Sequence, residues 1–169
     1  IFGIKGAAVL ALGLLMGQAM TTRAGILKEE EFAKLAATSG GKTKPVATKV
    51  EWVKFTPEAF EEAKKSGNPI LIDGTADWCL VCKEIDEAVF KKPAAIIALQ
   101  DVVTMKIDLS TGVDPAYDEA VRKQFKIVGL PHIMLFKPGG EQIRTFSDLK
   151  QLPNPDVLVA ALKEAGATL

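Results

Sequence analysis

The sequence predicts an α/β fold in which a central mixed sheet is flanked by helices. Two observations lead to this prediction. Segments with strand and helix patterns alternate from about residue 50 onward, in the order β-α-β-α-β-α-β-β-α. The last two strands are short, and Lys137-Pro138-Gly139-Gly140 between them is typical of a hairpin turn. A βαβ unit followed by a hairpin and a closing helix places parallel and antiparallel strands in one sheet.

The first half of this order follows from local signals. Residues 50–55 have the composition of a strand. Thr56-Pro57-Glu58 is a helix start with Thr as N-cap and Pro in the first turn, and Gly67 ends that helix. Residues 69–73 predict a buried strand, and residues 79–90 have helical periodicity.

The second half is equally regular. Residues 102–108 predict a strand, and residues 115–125 predict a helix whose apolar positions recur at helical spacing. Two strands follow at residues 132–136 and 142–146. Asn154-Pro155-Asp156 caps a last helix with one apolar face, formed by Leu158, Ala161, Leu162 and Ala165.

Composition limits the classes of function. The chain has 169 residues, 48% of them hydrophobic and 25% charged, which is enough for one domain and an extension. Its formal net charge is zero, so no basic face indicates nucleic acid as a partner. Two cysteines cannot form a disulfide-rich scaffold, and a bridge between residues so close together constrains little of the unfolded chain.

The N-terminal residues differ from the rest. Residues 1–20 are almost entirely apolar, with Lys5 as their one charge, which predicts either a transmembrane helix or a secretory signal segment. Either interpretation places the remaining chain outside the cytoplasm; a buried core helix is the weaker alternative, because the segment has no polar face. Residues 21–49 predict a linker, and the compact domain is expected at residues 50–169.

The two cysteines, Cys79 and Cys82, form a Cys-x-x-Cys motif at a strand-to-helix junction, which predicts a redox-active pair. Cys79 should be a partly exposed nucleophile whose pKa is lowered by the helix N-terminus. Cys82 should be more buried and should resolve the mixed disulfide. Zinc is the weaker alternative because two cysteines and one histidine do not supply four ligands. Haem attachment requires a histidine directly after the second cysteine, and Lys83 at that position excludes it.

The residues between the cysteines indicate a direction of electron transfer. Leu80 and Val81 offer no charge or side-chain hydrogen bond to a thiolate, and Lys83 is expected to point to solvent. A disulfide oxidant stabilises its reduced thiolate strongly. These apolar residues therefore favour a reductant over an oxidase or isomerase.

Two carboxylates lie close to the motif in sequence. Asp73 ends an apolar strand, so its pKa should be raised by burial. It could accept the proton of Cys82, or it could only anchor the neighbouring loop; both interpretations stay open. Asp86 lies one helical turn after Cys82 and could bias the site electrostatically, although a solvated helix residue is the favoured interpretation.

A second segment could face the cysteines. If the Leu130–Pro131 bond is cis, it forms a tight turn at which the backbone of Leu130 could pair with an extended substrate. His132 is expected to be a partly exposed strand residue rather than a catalytic base. Trp78 could offer a flat apolar surface to a partner, or its ring could pack on the domain's own surface.

Together these motifs resemble the thioredoxin superfamily. They include Trp78-Cys79-x-x-Cys82-Lys83, the upstream Asp73 and Gly129-Leu130-Pro131. Ala76-Asp77-Trp78-Cys79, the acidic Asp86 and Val89-Phe90 are more closely similar to the C-terminal thioredoxin-like domain of the DsbD family of thiol:disulfide interchange proteins. The likeness covers roughly residues 50–165, about two thirds of the chain. Gly74-Thr75 and His132 depart from the family pattern, which has bulkier residues and Thr there.

The resemblance implies a thioredoxin-like fold and an electron relay. A membrane module would pass electrons to the cysteine pair, which would reduce disulfides of periplasmic proteins, for cytochrome c maturation or general disulfide repair. It also implies Cys79 as attacking thiol, Cys82 as resolving thiol, Asp73 as buried acid and Pro131 as cis-proline, with no cofactor beyond the redox-active disulfide. The expected location is the periplasmic side of the bacterial inner membrane, tethered, or exported and soluble. A non-catalytic binding module is the remaining alternative.

Overall fold

The protein is described by a computed structural model over residues 47–110 and 114–169. The described part contains five strands, five α-helices and one π-helical turn. The strands are β1 Val53–Lys54, β2 Ile70–Thr75, β3 Val103–Asp108, β4 His132–Phe136 and β5 Gln142–Phe146. The helices are α1 Pro57–Lys65, α2 Leu80–Ile85, α3 Pro93–Ala98, α4 Pro115–Phe125 and α5 Pro155–Glu164, and the π-helical turn Asp86–Phe90 directly follows α2.

The five strands form one mixed sheet in the order β1-β3-β2-β4-β5. Strand β3 pairs in parallel with both β1 and β2, whereas β4 runs antiparallel to β2 and to β5. The predicted mixed sheet with flanking helices is therefore confirmed. Since β2 is central, the loop that follows it lies at the middle of one end of the sheet.

Alternating residues of the strands face two separate cores. One core combines Leu71, Ile133 and Leu135 with α2, the π-helical turn, α3 and α5. The other combines the opposite strand face with α1 and α4, and four phenylalanines pack edge to face or tilted in it, namely Phe55, Phe60, Phe125 and Phe136. Helices on both faces bury β4 completely and all of β2 except its last residue, Thr75.

Three elements differ from the sequence-based expectation. Strand β1 has two residues instead of six, because it is an edge strand that contacts β3 alone. Helix α3 was not predicted, since its apolar sequence lacks the polar positions that show helical periodicity. The predicted helix 79–90 ends in a π-helical turn, in which the N–H of Lys91 donates to the carbonyl of Asp86, five residues earlier.

The helix caps follow the sequence signals closely. Thr56 accepts a hydrogen bond from the Ala59 N–H at 3.1 Å, and Asn154 caps α5 through two backbone N–H groups. Gly139 and Gly140 have φ of 88° and 93° in the turn between β4 and β5, a conformation that side chains disfavour. Local sequence therefore specifies most element boundaries around the sheet.

The predicted apolar segment 1–20 and nearly all of the predicted linker 21–49 lie outside the described residues. Within residues 47–110 and 114–169, no helix has the length and hydropathy needed to cross a membrane.

Candidate active site

The cysteines lie in the loop between the central strand β2 and helix α2, and they form a disulfide. Cys79 is the N-cap of α2, and its Sγ accepts a hydrogen bond from the Cys82 N–H at 3.2 Å. The Asp77 N–H donates to Ser110 Oγ at 2.9 Å, which fixes the loop to the end of β3. The sulfur of Cys79 thus occupies the position where free N–H groups of a helix start accumulate positive potential.

The predicted difference in exposure between the two cysteines is wrong for this oxidised form. Cys79 is 5% exposed and Cys82 is 7% exposed, so the first cysteine is as buried as the second. The reason is that each sulfur is shielded by its bonded partner, while Ala76 and Leu130 pack against the pair. The spacing of the cysteines could not predict that Leu130, from a loop distant in sequence, packs against them.

The Leu130–Pro131 peptide bond is cis, and β4 begins at the next residue. Pro131 is buried, and the half-buried Leu130 contacts the cluster formed by Ala76 and the cysteines. Because β4 pairs with β2, this turn and the cysteine loop lie at the same end of the sheet. The structure therefore brings the two predicted segments together.

Gly74 explains one departure from the family pattern. It pairs with His132 across β2 and β4, and a Cβ there would lie 3.0 Å from the His132 carbonyl oxygen and 3.6 Å from Leu130 Cδ2. Such a Cβ would contact the backbone so closely that β4 would have to move away by a few tenths of an ångström. The missing side chain lets the turn with the cis peptide bond approach the central strand closely.

His132 is buried, with 9% exposure, so the expectation of a partly exposed histidine is wrong. It is the first residue of β4, and alternation along the strand places it on the same face as Met134 and Phe136, which belong to the core formed with α1 and α4. Burial lowers its pKa, which a hydrogen bond with the backbone of Phe125 partly offsets. The lowered pKa favours the neutral form of the imidazole.

Asp73 lies in β2, is 5% exposed, and pairs in register with Lys106 of β3. Burial raises its pKa to about 6; the Lys106 ammonium, whose Nζ is 3.6 Å from Asp73 Oδ2, opposes the rise, and the charge of Asp86 adds to it. The raised pKa agrees with the sequence-based expectation, and the carboxyl group can exchange a proton close to neutral pH.

Lys106 is the residue that sequence reasoning missed. Its Nζ lies 3.7 Å from Asp86 Oδ1, and Lys91 Nζ lies 3.4 Å from Asp86 Oδ2. The favoured interpretation of Asp86 as a solvated residue is wrong, because its side chain is about one-third exposed and pairs with both lysines. A signal was present, since Lys106 is the only charged residue from Val103 to Ile107, before Asp108 ends the strand.

An open groove of about 830 Å³ lies beside the cysteine loop. Its lining includes Trp52, Cys82, Lys83, Asp86 and Lys106. Water can therefore reach the second cysteine and the lysine that contacts Asp73 from this side. Within residues 47–110 and 114–169, no cluster of His, Cys, Asp or Glu has an arrangement that could hold a metal ion.

Apolar residues next to the cysteines in sequence are exposed. Trp78 is 55% exposed, which favours the interpretation of a free surface over that of a ring packed on its own domain. Leu80 and Val81, which lie between the two cysteines in sequence, are also exposed. Lys83 is exposed, as expected.

The geometry agrees with comparisons to known proteins. A thioredoxin-like family model matches residues 51–138, just over half of the chain. The chain belongs to the thioredoxin-like family. Among curated proteins, it is 35% identical over 97 residues to the thiol:disulfide interchange protein DsbD of Ralstonia nicotianae. It is 34% identical over 95 residues to DsbD of Escherichia coli K12. These matches cover 57% and 56% of this chain but 16% of each relative.

Solved structures show the same thioredoxin-like fold. The oxidised C-terminal domain of DsbD from Neisseria meningitidis has a TM-score of 0.53 and 20% identity, over 67% of this chain and 99% of that one. The DsbH oxidoreductase has a TM-score of 0.58 and 18% identity, over 78% and 96%. The fold class and the resemblance to this group that the motifs predict are both confirmed.

Proposed function

We propose that this thioredoxin-like chain is a thiol:disulfide oxidoreductase that reduces disulfides of partner proteins. The observation that carries the proposal is the Cys79–Cys82 disulfide, which lies at the start of α2 beside a cis-proline turn and a buried carboxyl group. The thioredoxin-like family match and the similarity to thiol:disulfide interchange proteins support it. No cofactor is required, because the cysteine pair itself carries the two electrons.

The reaction would proceed in two exchanges. In the reduced protein, the Cys79 thiolate attacks one sulfur of a partner disulfide, which forms a mixed disulfide and releases the first partner thiolate. Cys82 then gives up its proton, and its thiolate attacks Cys79 Sγ. The Cys79–Cys82 disulfide forms, the second partner thiolate leaves, and the partner has gained two electrons. A dithiol donor restores the reduced pair by the reverse exchange.

Cys79 is the proposed attacking residue because of its position at the N-cap. The Cys82 N–H that contacts its Sγ, together with the dipole of α2, stabilises a thiolate there more than a thiol. Leu80 and Val81 are exposed apolar residues and add no further stabilisation. A moderately stabilised thiolate suits a reductant, because a strongly stabilised one would favour the dithiol form and make the disulfide oxidising.

Asp73 is the proposed proton acceptor for Cys82. With a pKa of about 6, it is largely ionised at pH 7 and above and can take a proton during exchange. Its neighbour Lys106 and the cysteine line the same water-accessible groove, which provides a path by which the proton leaves. Asp86 would modulate this carboxyl group through its negative charge, and the exposed Lys83 would add a positive charge near the loop.

Trp78, Leu130 and Pro131 would form the substrate-binding surface. The exposed Trp78 ring offers apolar contact next to the disulfide. The turn at Leu130 and Pro131 covers the pair and would present backbone to an extended partner segment. Displacement of the Leu130 side chain would then expose the sulfurs when a partner binds.

The location and the electron donor are proposed from the relatives. The chain spans about one sixth of the DsbD proteins that it matches. We propose that residues 1–20 span the membrane or act as a signal segment, that residues 21–49 are a linker, and that residues 50–169 work on the periplasmic side. A membrane module would supply electrons, and periplasmic proteins would accept them.

Insulin reduction tests the proposed activity. Reduced insulin B chain precipitates, so turbidity follows catalysis when dithiothreitol supplies electrons. We expect the protein to shorten the lag before precipitation in proportion to its concentration. A rate equal to that of dithiothreitol alone would contradict the proposal and would favour a non-catalytic binding module.

Equilibration with glutathione buffers tests the direction of transfer. Because Leu80 and Val81 add no stabilisation to the Cys79 thiolate, we expect the Cys79–Cys82 pair to have a midpoint potential of roughly −200 mV or below. Trapping with acid and alkylation, followed by mass spectrometry, gives the fraction oxidised. A midpoint near or above about −150 mV would contradict the reductant proposal and would indicate a disulfide oxidase.

A further inference from the structure

A single ammonium group connects the groove to the buried carboxyl group. Lys106 Nζ lies 3.6 Å from Asp73 Oδ2 and 3.7 Å from Asp86 Oδ1, and it lies 4.8 Å from the centre of the Trp52 ring. The lysine side chain is about one-third exposed. A flexible lysine at a groove has several rotamers, so its position against Asp73 requires contacts that restrict it.

Trp52 is well placed to provide that restriction. It lies two residues before Lys54, which pairs in register with Lys106, so alternation puts the ring on the same face of the sheet as the ammonium. Phe90 also packs against the Trp52 ring, with ring centres 5.1 Å apart and planes at 77°. The face of a tryptophan ring attracts a cation electrostatically.

The π-helical turn Asp86–Phe90 contributes a contact to Lys106 and a contact to the Trp52 ring beside it. Its first residue, Asp86, contacts the ammonium, and its last residue, Phe90, packs against the tryptophan ring. Lys91 follows the turn and pairs with Asp86, which keeps that carboxylate in place. π-helical turns of this kind are frequent at functional sites.

We propose that Trp52 is a positioning residue, whose ring holds the Lys106 ammonium between Asp73 and Asp86 beside the resolving cysteine. The proposal rests on the proposed function only in assigning proton transfer to Asp73. Without the ring, the ammonium would spend more time in the solvent-filled groove. The carboxylate form of Asp73 would then lose part of its favourable interaction with the ammonium. The carboxyl group would therefore hold its proton to higher pH.

A carbon-13 NMR titration of the Asp73 carboxyl group in the oxidised protein tests this proposal. We expect Trp52→Leu to raise the pKa of Asp73 by about 0.5, which corresponds to loss of a cation–π contact. Trp52→Phe should leave it close to the wild-type value, because a ring remains. Tyr117→Leu is the matched control, since it removes a ring 5.8 Å from the ammonium of a different lysine, Lys54.

A double-mutant cycle separates positioning from general packing. If Trp52 acts through Lys106, the variant Trp52→Leu/Lys106→Gln should have the same Asp73 pKa as Lys106→Gln alone. An unchanged pKa in Trp52→Leu, or a shift that adds fully to that of Lys106→Gln, would overturn the proposal. The titration needs no turnover, so failure of the insulin assay and failure of this proposal are separate results.

Fluorination provides a test that does not depend on the folding of Trp52→Leu. The chain has two tryptophans, so 5-fluorotryptophan incorporated into a Trp78→Phe background modifies Trp52 alone. Fluorine withdraws electron density and weakens the attraction for a cation while the ring keeps its size. Relative to the unfluorinated Trp78→Phe protein, we expect the Asp73 pKa to rise, but by less than it rises in Trp52→Leu. No shift would contradict a cation–π role.

Discussion

Cys79→Ser should abolish insulin reduction, with a loss of at least about 10³-fold relative to the wild-type protein. A serine hydroxyl at the start of α2 is not ionised near neutral pH and cannot attack a disulfide. Cys82→Ser should also stop turnover, but after one exchange, because the mixed disulfide at Cys79 then has no resolving thiol. Turbidity measures the loss of catalysis.

Mass spectrometry of the two variants distinguishes the roles of the cysteines. Incubation with a disulfide-containing peptide should trap a covalent adduct on Cys82→Ser and none on Cys79→Ser. Comparable insulin reduction by Cys79→Ser and the wild-type protein would contradict the enzymatic proposal. Adducts that form only on Cys79→Ser would reverse the assigned order of attack.

Asp73→Asn should slow release of the reduced partner from the mixed disulfide by about 10²-fold or more at pH 7, the usual size of a general-base contribution. The amide has nearly the same shape but cannot accept the Cys82 proton. The wild-type rate should rise as pH passes through about 6, where Asp73 ionises, whereas the variant should lack that rise. Stopped-flow measurement of peptide release between pH 5 and 8 gives both profiles.

At alkaline pH, Asp73→Asn should also be more stable than the wild-type protein. The folded-state pKa of Asp73 is raised from 3.8 to about 6, so the fold favours the protonated form. This contribution to stability is fully present below pH 3.8 and is lost as pH rises through 6. At pH 8 the buried carboxylate costs up to about 3 kcal/mol, which asparagine avoids.

Urea denaturation at pH 5 and pH 8 measures this difference. The gain in the free energy of unfolding for Asp73→Asn should be larger at pH 8. Asp86→Asn is a suitable control for the release rate. It removes a charge that raises the pKa of Asp73 but leaves the Asp73 carboxyl group in place, so that variant should retain a pH-dependent rate. An equal or lower stability of Asp73→Asn at pH 8, together with an unchanged release rate, would contradict the assigned role.

Most of the fold could be predicted because its signals are local. Thr56 and Asn154 cap their helices, and the predicted apolar face of α5 is buried. The cysteine motif lies between β2 and α2 as expected, and the cis bond before Pro131 occurs at the predicted turn. The helix caps and the apolar face of α5 are determined by residues that are close together in sequence.

The remaining features depend on contacts between distant residues. Lys106 lies 33 positions after Asp73, and only the register of β2 with β3 brings them together. The contact between Trp52 and Phe90 depends on the π-helical turn, which has no distinct sequence pattern. Burial of Cys79 and His132 likewise depends on the turn at Leu130 and on the core beneath β4.

Alkylation of the reduced protein by iodoacetamide tests the central proposal, a reactive thiolate at the start of α2, most directly. The rate at Cys79 should follow an apparent pKa below about 8.5 and should exceed the rate at Cys82 at pH 7. Site-specific rates from mass spectrometry across pH 4 to 10 provide the measurement. If neither thiol reacts faster at pH 7 than free cysteine does, the proposed mechanism is contradicted.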